Sequence, residues 1–184
     1  LVGLGADVYG IMEMQNNGFG ADSALAAMVA AMNQQQGSEV FAYVKGPFST
    51  GGDQTVVAAG HDAISVALIY RQGKVRPVGK AAVPDERQYD AFNATYGNRV
   101  PLAQSFEVSL ADGTAEQFTV VVNHLKSKGS VNDPDTGDGQ GANSQARLRA
   151  VNQLHAWLAG TPTQITSDKL VLLGDFNAYA KEDP

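Results

Sequence analysis

Three short segments of the sequence each end an apolar run in a polar residue that can do chemistry. In Leu172-Leu173-Gly174-Asp175-Phe176-Asn177-Ala178, what reads as a buried strand delivers an aspartate and an asparagine to one rim. If extended geometry persists, the side-chain period of two points Asp175 and Asn177 into the same pocket. The competing reading is an Asx turn that caps the next element, because these residues favour turns. In Val120-Val121-Val122-Asn123-His124-Leu125-Lys126-Ser127-Lys128 a second strand ends in a histidine followed by two lysines. An imidazole can give or take a proton near neutral pH, and the lysines can hold phosphate oxygens. Taken alone, such a histidine is more often a hydrogen-bonded structural residue. In Ile11-Met12-Glu13-Met14-Gln15-Asn16 a carboxylate closes the strand. A hard cation such as Mg²⁺ binds through one or two carboxylates and keeps water and phosphate as its other ligands. A surface glutamate is the plain alternative.

Local patterns predict the elements that position these residues. An apolar run from Asp7 to Met14 reads as a strand, with Glu13 at its exit. Asp22 or Ser23 can cap a helix in which Leu25, Met28, Val29 and Met32 recur at helical spacing, and Gly37 should stop it. Strand-like segments follow at 40–44, 63–70 and 75–78, the last two joined by Arg71-Gln72-Gly73-Lys74 as a hairpin turn. A second hairpin is predicted between 106–110 and 118–124, turning at Asp112-Gly113. Residues 144–158 should be helical, with Leu148, Val151, Leu154, His155 and Leu158 on one face. The run Lys169 to Leu173 leads into Gly174-Asp175. Hairpins mixed with strands separated by helices indicate a layered α/β domain. The loops 84–101 and 126–141 are of a length that is commonly functional or disordered.

Bulk properties set the limits. With 184 residues the chain suits one domain with a full core. Lys+Arg 13 against Asp+Glu 19 gives a formal charge of -6, which argues against a broad basic surface for holding nucleic acid. Any polyanion contact must be local and helped by a cation, whose charge can reverse the local field. The absence of cysteine excludes disulfide scaffolds, thiolate zinc sites and cysteine nucleophiles. No stretch is long enough to span a membrane as a helix, and no signal peptide is present at the start of the sequence.

Each polar group sits at the C-terminal end of an apolar strand, where sites of layered α/β folds gather. The order strand-Glu, Asn98-Arg99-Val100-Pro101, strand-Asn123-His124, Gly174-Asp175-Phe176-Asn177-Ala178 resembles the endonuclease/exonuclease/phosphatase superfamily that includes deoxyribonuclease I. Val122 to Ser130, Gly137 to Gly141 and Gly174 to Pro184 are similar to bacterial extracellular nucleases, and the likeness runs nearly end to end. The resemblance implies a layered α/β sandwich of two packed mixed β-sheets flanked by helices. It implies Glu13 and Asp175 as metal-binding carboxylates and Arg99 as the arginine on the scissile phosphate. It further implies His124 as donor to phosphate or leaving group, and Asp175 with Asn177 as the pair orienting the attacking water. Asp62 is placed as the carboxylate that fixes the histidine tautomer, and Lys126 and Lys128 as phosphate-backbone contacts beside Arg99. The implied cofactor is Mg²⁺, with Ca²⁺ or Mn²⁺ as alternatives. The implied substrate is nucleic acid, DNA or also RNA, and the implied location is extracellular.

The expected reaction is in-line attack of water on a phosphodiester, with Arg99, His124 and Asn177 neutralising the developing charge. A serine hydrolase reading lacks the Gly-x-Ser-x-Gly elbow. Asn132 to Gly139 resembles a calcium loop in composition but fails the EF-hand spacing, so a solvated loop is expected. His61 and His155 are assigned to a loop and to a helix face. Superfamily members open with a strand carrying a metal-binding asparagine and close with an Asp-His pair, and neither is found in residues 1–184. A partial domain, truncated at both ends, is therefore expected. The same chemistry on a phospholipid head group or inositol phosphate is the runner-up reading, and a catalytically silent binding module is the third.

Overall fold

The computed structural model describes residues 1–51, 54–93, 95–129 and 133–183. Ser130, Asn132 and Pro184, which carry part of the motif and loop readings above, lie outside them.

Among the described residues, two α-helices and nine strands carry the architecture. Helix α1 (Ala24–Gln36) is capped by Ser23, whose hydroxyl accepts from Ala26 N, and stops at Gly37 in left-handed geometry. Strands β1 (Val8–Gln15), β2 (Phe41–Tyr43) and β5 (Ile64–Arg71) form an antiparallel sheet in the order β1-β5-β2. Strands β3 (Phe48–Gly51), β4 (Gln54–Val56), β6 (Val75–Ala82), β7 (Leu102–Ser109), β8 (Ala115–His124) and β9 (Leu170–Asp175) form a mixed sheet in the order β4-β3-β6-β7-β8-β9. Within it β3 runs parallel to β6 and β8 parallel to β9. Helix α2 spans Ser144–Ala159.

The layers follow from side-chain alternation. Along β5, Val66 and Leu68 pack into the core shared with the six-stranded sheet, while Ala67 and Ile69 face Leu25, Val29 and Met32 of α1. On β8, Val120, Val121 and Val122 are all buried, so both faces of this strand are covered. Ala150, Leu154 and Trp157 of α2 join the same core. The result is a two-sheet α/β sandwich with helices on its outside. Gly10 lets the sheets meet near the ends of β1 and β9, since a Cβ there would overlap Leu173 Cδ1 and press on Val122 Cγ2 at 3.1 Å.

Several expectations are corrected. The turn at 71–74 forms, with Lys74 N donating to Arg71 O at 3.2 Å, but it joins two sheets rather than a hairpin. Both edges of β5 are already taken by β1 and β2, so β6 must pair elsewhere. Strand β9 is not buried: Leu170, Val171 and Leu172 are 47%, 46% and 44% exposed, because β9 ends the sheet order and pairs only with β8 among the described residues. Helix α2 turns Ala146, Arg147, Ala150, Leu154 and Trp157 inward, while Leu148 and His155 are exposed. Small alanines bring the helix close to the sheet, and the arginine is buried because it binds backbone carbonyls. The hairpin at Asp112-Gly113 forms as expected, with Leu110 N donating to Thr114 O at 2.8 Å.

Candidate active site

The parallel pairing of β8 with β9 sets His124 opposite Asp175. Leu125 N then donates to Asp175 O at 2.9 Å, and Asn177 Nδ2 donates to Leu125 O at 2.9 Å, so the two strand ends are stitched together as they leave the sheet. Gly174 makes this approach feasible: its φ is 133°, and a Cβ there would run into the Asn123 carbonyl. Beyond it the chain does not stay extended. Asn177 sits at φ 51° and its N–H bonds Asp175 Oδ1 at 2.8 Å, an Asx turn. The turn fixes Asp175 by one oxygen and leaves Oδ2 without a hydrogen bond among the described residues.

His124 is buried, and its Nδ1 is enclosed without a hydrogen-bond partner among the described residues. Nε2 has no protein partner either but is not enclosed, so it is the nitrogen that solvent reaches. A buried acceptor lacking a donor costs less than a buried N–H lacking an acceptor, which favours the neutral tautomer with its proton on Nε2. Burial, and after it the Arg99 charge, pushes the imidazole below its ordinary value of 6.5, opposed in part by Asp175, Glu13 and Asp62. One imidazole thus feels four of the sequence-predicted residues at once.

Each of these comes from a different element. Glu13 lies in a bulge of β1, where the register with β5 slips between Ile11 and Met14, and its own φ is 58°. It is therefore within the strand rather than at its exit. A bulge re-aims a side chain, and a non-glycine residue held at positive φ costs roughly 1–3 kcal/mol. Arg99 is fixed by its backbone, whose N–H bonds His124 O at 3.0 Å, and by Nη1, which donates to Gly97 O at 2.9 Å. Its Nε lies 3.0 Å from Asp62 Oδ2 but is not aligned as a hydrogen bond, so the pair is a Coulombic contact. Nη2 makes neither a hydrogen bond nor an ion pair among the described residues. Asp62 consequently partners Arg99 and not His124, with its other oxygen accepting from Ala63 N at 2.6 Å. Asn16 secures that loop by donating Nδ2 to Gly60 O at 3.1 Å and Asp62 O at 2.9 Å.

The two lysines differ. Lys126 is largely buried, its aliphatic chain lying against Gly97 in the Arg99 loop. Lys128 is committed to the segment that follows Asn177: Nζ donates to Asn177 O at 2.8 Å, pairs with Glu182 Oε2 at 2.8 Å and lies 4.1 Å from the centroid of the Tyr179 ring. It holds protein rather than standing open to a phosphate, which corrects its expected role.

Two buried residues escaped the sequence reading. Asn98 donates Nδ2 to Ala91 O at 2.9 Å and Ala146 O at 3.2 Å and accepts from Lys126 N at 2.9 Å, so it ties the Arg99 loop to α2 and to the strand carrying His124. Arg147, fully buried, donates to the carbonyls of Lys126, Ala142 and Gln140 at 3.2, 2.8 and 2.9 Å. The only available signal was their place, one beside Arg99 and one in a helix otherwise marked by leucines. In the aspartate-rich loop, Asp135 and Asp138 each accept from a backbone N–H two residues on, at 2.9 Å, and Asp133 Oδ2 accepts from Gln145 N at 2.9 Å. These carboxylates close turns and cap α2.

No group of three or more His, Cys, Asp or Glu that could hold a metal occurs among the described residues. The donor set here is smaller: the exposed carboxylates of Glu13, in the β1 bulge, and Asp175, at the end of β9, both of which act on the charge of one imidazole. Two carboxylates with open oxygens match the way Mg²⁺ is bound when water and phosphate complete its shell.

No protein-family model matches the chain, and no curated protein matches it. Among solved structures it is similar to an endonuclease/exonuclease/phosphatase from Beutenbergia cavernae DSM 12333, at 17% identity and a TM-score of 0.48. The likeness covers 98% of this chain and 41% of that one, so the chain spans less than half the length of that neighbour.

Proposed function

We propose that the chain carries the catalytic face of a metal-assisted phosphodiesterase acting on nucleic acid. The observation that supports this reading is the convergence on His124 of Glu13, Asp62, Arg99 and Asp175, delivered by different elements to the ends of β8 and β9. A module kept only for its fold has no need of an unpartnered imidazole among these charges. Glu13 and Asp175 Oδ2 would hold the divalent cation, which when bound supplies Lewis-acid stabilisation of phosphate charge. Arg99 Nη2 binds a phosphate oxygen, and the Asp62 contact at Nε orients the guanidinium for it. His124, neutral because burial disfavours its charged form, donates Nε2–H to a second phosphate oxygen. Asp175 is held by the Asx turn, and Oδ1, which keeps a second lone pair beside the Asn177 N–H, can orient the water for in-line attack while the P–O bond to the leaving oxygen breaks on the opposite side. No covalent nucleophile is required, because the work is positioning and charge stabilisation.

The test is nicking of supercoiled plasmid by the purified chain with Mg²⁺, with Ca²⁺ and with chelator, beside His124→Ala. Metal-dependent nicking that falls by roughly a hundredfold or more in the variant is the expected result. A folded protein that carries these residues together with the closing Asp-His pair, and that nicks no DNA and cleaves no RNA with any of these cations, would overturn the nucleic-acid reading.

A further inference from the structure

A cavity of about 340 Å³ opens beside Arg99, between the 59–64 loop and the 92–100 loop. Small-molecule sites occupy roughly 300–1,000 Å³ and combine apolar walls with a few polar groups. Phe92, Ile64 and Val100 supply the walls here, and Arg99, Asp62 and Glu86 the charges. Glu86 is the odd member. It is partly buried yet has no hydrogen bond or ion pair with the described residues. The next residue, Arg87, is fully engaged: its guanidinium binds Asp85 at 3.0 and 2.7 Å and Gln54 Oε1 at 2.8 Å. Burial pushes the Glu86 carboxyl above its ordinary range, with only His61 acting to lower it. A more basic carboxylate is a stronger acceptor, and a partly desolvated one without a donor is a cost that a ligand can offset.

An ionised carboxylate presents two oxygens and only accepts. Among the bases, guanine alone sets two donors side by side on one edge, N1–H and the 2-amino group. Adenine and cytosine place a lone pair beside their amino group, and thymine and uracil flank one N–H with carbonyls, so each would turn an acceptor toward a carboxylate oxygen. We propose that this cavity is a guanine subsite, in which Glu86 accepts from N1–H and the 2-amino group of an unpaired base whose phosphate lies at Arg99. The placement of the phosphate rests on the phosphodiesterase reading; the binding of the base does not. That edge is hidden in a duplex, so the strand that enters is single or has the base extruded.

Titration calorimetry of the 184-residue chain in chelator tests this with guanosine, inosine and adenosine 5′-monophosphates. Inosine lacks only the 2-amino group, and its affinity should be about tenfold below that of guanosine monophosphate, the scale of one hydrogen bond to a charged acceptor. Adenosine monophosphate should bind more weakly again. In Glu86→Gln, with folding verified by circular dichroism, the difference between guanosine and inosine should vanish. Equal binding of those two nucleotides by the unmodified chain, or no binding by any of the three, overturns the guanine subsite whether or not the variant folds. Base discrimination by this chain, with no cleavage by a folded protein that also carries the closing Asp-His pair, would sink the phosphodiesterase reading alone, and nicking without discrimination would sink the subsite alone.

Discussion

Lys128 Nζ and Glu182 Oε2 lie 2.8 Å apart, and the same ammonium donates to the carbonyl of Asn177 at 2.8 Å. The lysine therefore acts as a strut for the turn that carries Asn177. Lys126, two residues earlier, makes no ion pair among the described residues and lies along the Arg99 loop. The two positions look alike in sequence and are opposite in structure.

That contrast predicts different responses to salt. Neutralising a phosphate with a lysine releases counterions, so removing one phosphate contact lowers the slope of log affinity against log salt by about 1. Lys126→Ala should show this change for a single-stranded oligonucleotide. Lys128→Ala should keep the parent slope and instead lower kcat, because Asn177 loses its carbonyl anchor. Equal changes of slope in both variants would mean that Lys128 leaves Glu182 when substrate binds.

The environment of His124 predicts a pH dependence of stability. Its pKa is lowered in the fold, so the unfolded chain binds the proton more tightly, and folding loses stability as pH falls below the ordinary 6.5 toward the depressed value. Above 6.5 the imidazole is neutral in both states and contributes no slope. His124→Asn should therefore show a shallower loss of thermal midpoint between neutral and mildly acidic pH than the parent. Parallel curves for the two proteins would show that burial at this site does not act on the imidazole's charge.

Much of this arrangement was legible because period and punctuation coincide with it. Ser23 and Gly37 bound α1 as their chemistry requires, and the triple valine before His124 reads as a strand covered on both faces. The strand ends carrying His124 and Asp175 were identifiable for the same reason, whereas Glu13 sits in a bulge within its strand that the pattern does not show. What the pattern does not contain is pairing. Nothing local in Val75 to Ala82 says that β5 has no free edge, and an apolar run such as Leu170 to Leu173 reads the same whether or not a neighbour covers it. Polar residues whose role is to satisfy backbone groups were also invisible, since Asn98 bonds segments up to 48 residues away. At Asp175 and Asn177 the plain reading is the one the structure shows: the chain turns, and Asn177 Nδ2 bonds Leu125 O, so the shared pocket expected of an extended segment does not form.

The glycine of the Gly-Asp-Phe-Asn motif is a packing requirement as much as a motif letter. At φ 133° an alanine is strained, and its Cβ would meet the Asn123 backbone, which cannot rotate away as a side chain can. Gly174→Ala should lower unfolding stability by about 3 kcal/mol, read from the denaturant midpoint. Activity at temperatures where the variant stays folded should fall as well, because separating β8 from β9 separates His124 from Asp175. A variant as stable as the parent would show that the strands can part here at little cost.

Arg147 offers the sharpest test of how the long loop after His124 is held. Its guanidinium is fully buried, bonds no carboxylate among the described residues though it acts on the Glu182 charge, and serves three carbonyls, one of them belonging to Lys126. Burying a charge is costly, and replacing a buried charge by a similar apolar volume is in some proteins neutral or stabilising. Here the carbonyls would be left without donors, and each buried acceptor without a partner costs roughly 1–3 kcal/mol. Arg147→Met should therefore destabilise the chain by about 3 kcal/mol, offset in part by relief of the buried charge. Hydrogen exchange should show the loss concentrated in residues 126–129 and 133–142 rather than spread through the sheets. If the variant gains stability and that exchange pattern is unchanged, the carbonyls find water instead, and the guanidinium is not what fixes the loop beside the candidate site.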